Sequence, residues 1–195
     1  SLSFISFLEV SINSFLFMIS FSISFFSSSV DFSLSSLIII IAAVLESSIL
    51  ANISVLPVVP DLVLICVVYF SIRNGKLFGE TIGFVSGLVI DLISACPLGL
   101  NCLFRTILGY SGGIFNKILN TQGIFTPALI GFCATIAKGI VIWFINILYP
   151  SAVHSYNPIS LMFLFELIAN TILSPIIFKL LSLFENLIIA PEKID

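Results

Sequence analysis

The chain has 195 residues, of which 59% are hydrophobic and only 9% are charged. Its mean hydropathy of +1.25 is far above that of a soluble globular domain. This composition predicts an all-α integral membrane protein, because the long apolar runs lack the sustained alternation of a β-barrel. The formal charge is −3 and no basic tract occurs, so we expect a lipid bilayer as partner and no nucleic acid.

Residues 1–35 form a Ser- and Phe-rich low-complexity segment without Lys or Arg. The missing basic region argues against a secretory signal peptide, and the density of serine is unfavourable for a spanning helix. A seventh hydrophobic helix, a disordered tail and a wrongly assigned start all stay open, so we draw no functional conclusion from this segment.

Six hydrophobic segments follow, and they predict a single polytopic transmembrane domain over residues 36–185 with a short cytoplasmic tail at 186–195. Prolines, glycines and polar residues separate the segments. We expect six transmembrane helices, at about 37–56, 60–73, 77–95, 98–118, 126–149 and 159–183.

Basic residues give the predicted helices an orientation. The alternate loops carry none, and five of the seven basic residues lie after the second, fourth and sixth segments or at their ends: Arg73, Lys76, Lys117, Lys179 and Lys193. The positive-inside rule therefore places these loops and the C-terminus in the cytoplasm. The loops near Val55, Cys96 and His154 then face outward.

A glycine stripe runs along the third segment, GKLFGETIGFVSGLVID, at residues 75–91. Its glycines recur every four residues, and Asp91 continues the spacing: Gly75, Gly79, Gly83 and Gly87. Each would cost roughly 1 kcal/mol relative to alanine in a soluble helix, whereas in a membrane helix they form a ridge against which another backbone packs closely. Gly109 and Gly113 repeat the spacing in the fourth segment. The partner of this ridge, in the same chain or in another protein, stays open.

Five ionisable residues are predicted at depth in the membrane: Glu46, Asp91, Arg105, Lys138 and Glu166. Each costs about 2.5 to 3.5 kcal/mol unless it is paired or hydrated. Asp91 and Arg105 lie at similar depths on two helices joined by a tight turn, which predicts a salt bridge between them. Lys138 has Glu46 and Glu166 as candidate partners. Structural ion pairs are favoured over a small-ligand site or a proton path.

The strings that match enzymatic motifs lack the structural surroundings that catalysis requires. Residues 109–113 match GxSxG, but the string lies late in an apolar helix, not between a strand and a helix. The single histidine, His154, is placed on the opposite side of the membrane from Ser111, so it cannot act as its base. One histidine and four scattered cysteines provide no metal site. We therefore predict no enzyme, metal or cofactor, and we read the cysteines as buried side chains, with a Cys96–Cys102 bridge as a minor alternative.

Residues 60–113 carry an ordered pattern. Pro60-Asp61-Leu62 opens one helix, GF-x-x-GL-x-x-D follows at residues 83–91, and then come Leu98-Gly99 and the GY-x-G string at 109–112. The pattern resembles the rod shape-determining protein MreD family. The resemblance implies a multi-pass inner-membrane subunit of the cell-elongation machinery, without catalytic activity. It also implies binding to the bitopic protein MreC and a connection between MreB filaments and the enzymes of lateral peptidoglycan synthesis.

The same resemblance implies a likeness to the six-helix substrate-binding subunits of energy-coupling-factor vitamin transporters. A non-enzymatic membrane scaffold is the leading hypothesis, and a membrane substrate-binding subunit of a small-molecule transporter is the alternative. The alternative needs a polar outward-facing pocket near Asp91, Asn101, Arg105 and Glu166.

Overall fold

The computed structural model describes residues 30–49, 59–93, 99–116, 118, 119, 121, 123–148 and 160–183. These residues form helices and no strand, as the composition predicts. The predicted outer loop positions Val55, Cys96 and His154, the tail at 186–195 and residues 1–29 lie outside the described part of the chain.

The described residues contain six helices, which follow one another in sequence. Helix α1 spans Val30–Val44 and continues as one π-helical turn, Leu45–Ile49. The other five are α2 Leu62–Asn74, α3 Lys76–Ile93, α4 Leu100–Ile114, α5 Phe125–Leu148 and α6 Leu161–Ser182. Each corresponds to one of the six predicted segments.

Helix α1 begins earlier than the sequence predicts, so the predicted boundary at residue 36 falls inside it. The serines that counted against a helix here include Ser35, which is fully buried. Because α1 packs against α2 and α3, a small side chain at this position allows the helices to approach each other closely.

Helix α2 is the centre of the bundle. Its residues from Val63 to Ile72 are all buried, and it contacts each of the other five helices. The most extensive helix contact lies on one side of it, between α3 and α4, and the α5–α6 hairpin lies on the other side. Contacts between these two sides are sparse, so α2 joins them.

Contacts along α6 fix its direction relative to its neighbours. Near its start, Glu166 accepts from Lys138 at 2.6 Å, and one turn later Asn170 donates to Thr135 at 3.1 Å. Because Lys138 follows Thr135 in sequence, α5 and α6 are antiparallel. Asn170 also contacts Asp61 at the start of α2, whereas farther along the rings of Tyr69 and Phe178 lie 5.0 Å apart. Helices α2 and α6 are therefore parallel.

Within the described part of the chain, two helices are long and apolar enough to cross a membrane by length and composition: Phe125–Ile147 in α5 and Leu161–Ser182 in α6. Both carry many large exposed apolar side chains, such as Ile140 and Ile172, which suit a lipid environment. Helix α2 has only 13 residues and α4 only 15. At about 20 Å each they are shorter than a hydrocarbon core of roughly 30 Å.

Candidate functional site

The glycine stripe of α3 contacts α4 within the same chain. A Cβ atom at Gly83 would lie 2.9 Å from the carbonyl carbon of Arg105, and one at Gly87 would lie 2.5 Å from the amide nitrogen of Cys102. Gly109 faces Gly79 in the same way, with its Cβ position 2.7 Å from the carbonyl carbon. Residue numbers rise along α3 as they fall along α4, so the two helices are antiparallel and their backbones touch.

Ser71 of α2, a third helix, packs against the contact between α3 and α4. Its hydroxyl donates to the carbonyl oxygen of Gly109, and its Cβ lies 2.7 Å from the Cβ position of Gly79. Gly112 approaches it less closely, with its Cβ position 3.1 Å from the Ser71 hydroxyl. Helices α2, α3 and α4 thus meet where their smallest side chains coincide.

The two ends of the predicted glycine set have different surroundings. Gly75 lies outside the ridge, in the turn between α2 and α3, with a φ of +92° that favours glycine. Gly113 belongs to the close contact, because a Cβ there would lie 2.6 Å from the carbonyl carbon of Gly75 and 2.6 Å from the amide nitrogen of Lys76. The tight turn and the tight helix pair therefore support each other.

Asp91 caps the N-terminus of α4. Its carboxylate accepts from the backbone amides of Gly99 at 2.8 Å, Asn101 at 3.1 Å and Cys102 at 3.2 Å, and from the Asn101 side chain at 2.8 Å. Because the first amides of a helix have no partner within it, an acidic group there satisfies them and complements the helix dipole. The structure thus corrects the predicted Asp91–Arg105 salt bridge.

Arg105 pairs with Asp61 instead. Its Nη2 donates to Asp61 Oδ1 at 2.9 Å, and both side chains are almost fully buried. The same Asp61 oxygen accepts from the amide of Leu64 at 2.8 Å, which makes Asp61 the N-cap of α2. The position of a residue along its helix gives the depth of its side chain in the membrane but not the direction in which it points, so similar depths did not make Asp91 and Arg105 partners.

Lys138 joins this pair from α5. Its Nζ donates to Asp61 Oδ2 at 2.7 Å and to Glu166 Oε1 at 2.6 Å. Of the two carboxylates predicted for Lys138, the structure pairs it with Glu166. The other, Glu46, accepts at 3.1 Å from the amide of Val63 in the first turn of α2. Asp61, Arg105, Lys138 and Glu166 form what we term the charge network.

The aromatic ring of Phe104 lies close to both cations of the charge network. The Arg105 guanidinium carbon is 5.2 Å from the centre of the Phe104 ring, and Lys138 Nζ is 5.7 Å from it. Arg105 Nε and Nη1 are buried without a hydrogen-bond partner among the described residues. The ring face partly compensates for those missing bonds, because it attracts cations electrostatically.

The sequence pattern does not identify two members of this region, Asp61 and Asn170. It predicts Asp61 at the start of a helix, where Pro60 and Asp61 before an apolar run are an N-cap signal. Because α2 is short, its capped start lies among the other helices and not at a surface. Asn170 accepts from the backbone amide of Asp61 at 3.0 Å. No spacing in the sequence connects these two residues.

Residues considered for chemistry occupy helical positions. The Ser111 hydroxyl donates to the carbonyl of Leu108 at 3.0 Å, within α4. Cys66 and Cys102 are buried free thiols, whereas Cys133 is free and exposed on α5, contrary to the prediction that it is buried. Within the described ranges, no group of three or more His, Cys, Asp or Glu residues is arranged to hold a metal ion.

A scan against protein-family models matches the family described as rod shape-determining protein MreD over residues 27–184. The chain belongs to the MreD family. The match covers all six helices, and the resemblance at residues 60–113 is thereby confirmed. Searches of curated proteins and of solved structures gave no match. MreD membership makes this chain a membrane protein of rod-shape determination, from a family of structural proteins that is not known as an enzyme family.

Proposed function

We propose that this MreD-family protein is a non-enzymatic, multi-pass scaffold of the cell-elongation machinery in the bacterial inner membrane. In this role it supports lateral peptidoglycan synthesis by holding other elongation proteins together. The family match over residues 27–184 is the observation that carries the proposal. An MreC-like bitopic membrane protein is the first partner that the resemblance suggests.

The internal contacts support a scaffold. Asp61, Arg105, Lys138 and Glu166 bond to one another, and Asp91 is occupied by the start of α4. Ionisable groups in a membrane bundle either pair or serve a ligand or ion path. Here they tie α2, α4, α5 and α6 together, which gives a partner a defined surface to bind.

A substrate-binding subunit of a small-molecule transporter is the second candidate. The unpartnered Nε and Nη1 atoms of buried Arg105 favour it, because an anionic ligand would satisfy them. Both atoms are however buried, so a ligand would reach them only if the surrounding helices moved apart. Of the residues predicted to line the pocket, Asp91 and Asn101 already bond to each other at 2.8 Å. The scaffold needs no such rearrangement and is therefore preferred.

A pull-down separates these candidates. The tagged protein is expressed in a rod-shaped bacterium that lacks its own MreD, solubilised in mild detergent and purified with its partners. We expect cell-wall elongation proteins, including a bitopic membrane protein, to co-purify, and rod shape to be restored. Recovery of an ATPase module together with a small vitamin-like molecule would instead establish the transporter reading.

A further inference from the structure

A cavity of about 290 Å³ lies between α4 and α5, with α2 as its floor. Its lining is almost entirely apolar and includes Val68 and Ile72 of α2, Gly112 of α4, and Ala134 and Ala137 of α5. Small side chains at Gly112 and the two alanines leave the space between the helices. Exposed side chains at its rim, among them Phe115, Leu129 and Cys133, show that it opens toward the membrane.

The dimensions of the cavity suit one hydrocarbon chain. Its lining on α5 extends from Thr126 to Ala137, a length of about 16 Å. Spread over that length, the volume corresponds to a channel on the order of 5 Å across, half the width of an α-helix. A whole transmembrane helix would enter only if α4 and α5 moved apart, whereas an extended acyl chain fits the space as it is.

Two basic residues, Arg73 and Lys76, lie near one end of the cavity. Arg73 directly follows Ile72 of the lining, and Lys76 is exposed at the start of α3, where its amide nitrogen faces the Cβ position of Gly113. Glu80, one turn into α3, offsets only one of these two charges. A phosphate group at this end would therefore be attracted, as basic patches between membrane helices attract anionic lipids.

From this combination we infer that the cavity is a binding site for one anionic membrane phospholipid, with one acyl chain between α4 and α5 and the headgroup beside Lys76 and Arg73. The site fills space that the helices leave empty and links the sparsely connected halves of the bundle. It is independent of the scaffold role, so the two proposals can fail separately.

Native mass spectrometry of the whole purified protein tests the site. The delipidated protein is titrated with phosphatidylglycerol or with zwitterionic phosphatidylcholine. We expect one tightly bound phosphatidylglycerol and weaker binding of phosphatidylcholine. Ala134→Leu, which fills the cavity, should weaken the binding of both lipids about ten-fold. Ala169→Leu on α6, outside the cavity lining, should bind like the wild type.

Charge and position are tested separately. Lys76→Gln should reduce the preference for phosphatidylglycerol about five-fold and leave phosphatidylcholine binding unchanged. Phosphatidylglycerol with a photoreactive group in its acyl chain should label wild-type peptides from residues 108–137. Any of three results would overturn the proposal. These are photolabelling only on the exposed face of α1, lipid binding that is unchanged in Ala134→Leu, and the absence of one tightly bound lipid in the wild-type protein. The photolabelling needs no variant, so misfolding of Ala134→Leu leaves a decisive measurement.

Discussion

Asp61 joins three kinds of contact in one carboxylate. It caps α2 through the amide of Leu64, pairs with Arg105 and accepts from Lys138. Burying a carboxylate is unfavourable unless its oxygens are fully used, and here the two cations and the helix start use both. Removing it would leave Arg105 and Lys138 in a low-dielectric interior without the carboxylate that bonds to both of them.

The pairing of Arg105 is measurable in a double-mutant cycle. Asp61→Asn should destabilise the protein by about 3 to 5 kcal/mol, because it leaves buried cations without their counter-charge. Combined with Arg105→Gln, it should show a coupling free energy of about 1 to 3 kcal/mol in thermal or denaturant unfolding in detergent. Asp91→Asn with Arg105→Gln is the matched control and should be additive within roughly 0.5 kcal/mol. Equal coupling in the two cycles would contradict the assignment.

Asp91 acts on the start of α4, so its replacement should act locally. Asp91→Ala removes the acceptor for the amides of Gly99, Asn101 and Cys102 and should cost at least about 1 to 2 kcal/mol, as the loss of an N-cap does. Hydrogen exchange should become faster at Asn101 and Cys102 and stay unchanged at the centre of α6. Asp91→Asn retains one acceptor oxygen and should be milder. Slow exchange at Cys102 in Asp91→Ala would show that Asp91 is not a cap.

The contact between α3 and α4 shows what a glycine stripe predicts and what it leaves open. Spacing of four places Gly79, Gly83 and Gly87 on one face, and their use as a packing surface follows from sequence. Their partner does not, because a bare ridge fits any backbone. In the structure the partner is α4, where Gly109 and Gly113 carry the complementary spacing. The partner helix can therefore be predicted only when the glycine spacings of α3 and α4 are compared with each other.

Gly83→Ala should lower the free energy of unfolding, whereas replacing a glycine by alanine within a helix usually raises it. In an open helix, alanine stabilises by up to about 1 kcal/mol relative to glycine. At Gly83 the added methyl would meet the backbone of Arg105, so we expect destabilisation of about 1 to 3 kcal/mol. Gly112→Ala is the control, because its methyl would meet no backbone but only side-chain atoms of Ser71 and Val68, at 3.1 to 3.8 Å. Stabilisation by Gly83→Ala in thermal unfolding would argue that α3 and α4 do not touch there.

Helix existence follows from hydropathy, but helix ends depend on tertiary contacts. All six predicted segments are helices, since long apolar runs between Pro and Gly allow little else in a membrane. The sequence predicts the start of α1 too late, because the Ser-rich composition around Ser35 argues against a helix. In the structure Ser35 is buried inside the helix bundle. The first turn of α4 is capped by Asp91, a residue of another helix, so the sequence of α4 alone contains no sign of this cap.

Helix directions across the whole molecule agree with a chain that crosses the membrane repeatedly. Helices α3 and α4 are antiparallel, as are α5 and α6. Helix α2 runs parallel to α6, since Asp61 contacts Asn170 and Tyr69 contacts Phe178. It is also parallel to α4, because Asp61 contacts Arg105 and Ser71 contacts Gly109. The ends of α2, α4 and α6 therefore lie on one side of the bundle, the side where Arg73, Lys117 and Lys179 occur in the sequence.

This shared side gives the six-span topology a direct test. Because basic residues stay on the cytoplasmic side, a fluorescent protein inserted after Thr121 or joined after Asp195 should fluoresce, and alkaline phosphatase at the same positions should be inactive. Phosphatase inserted after His154 should be active, since α5 carries the chain outward and α6 returns it. The insertion at His154 is the matched control for expression. Active phosphatase after Thr121 would mean that α5 enters from the outside, which contradicts the charge distribution. Opposite results after Thr121 and after Asp195 would contradict the parallel arrangement of α4 and α6.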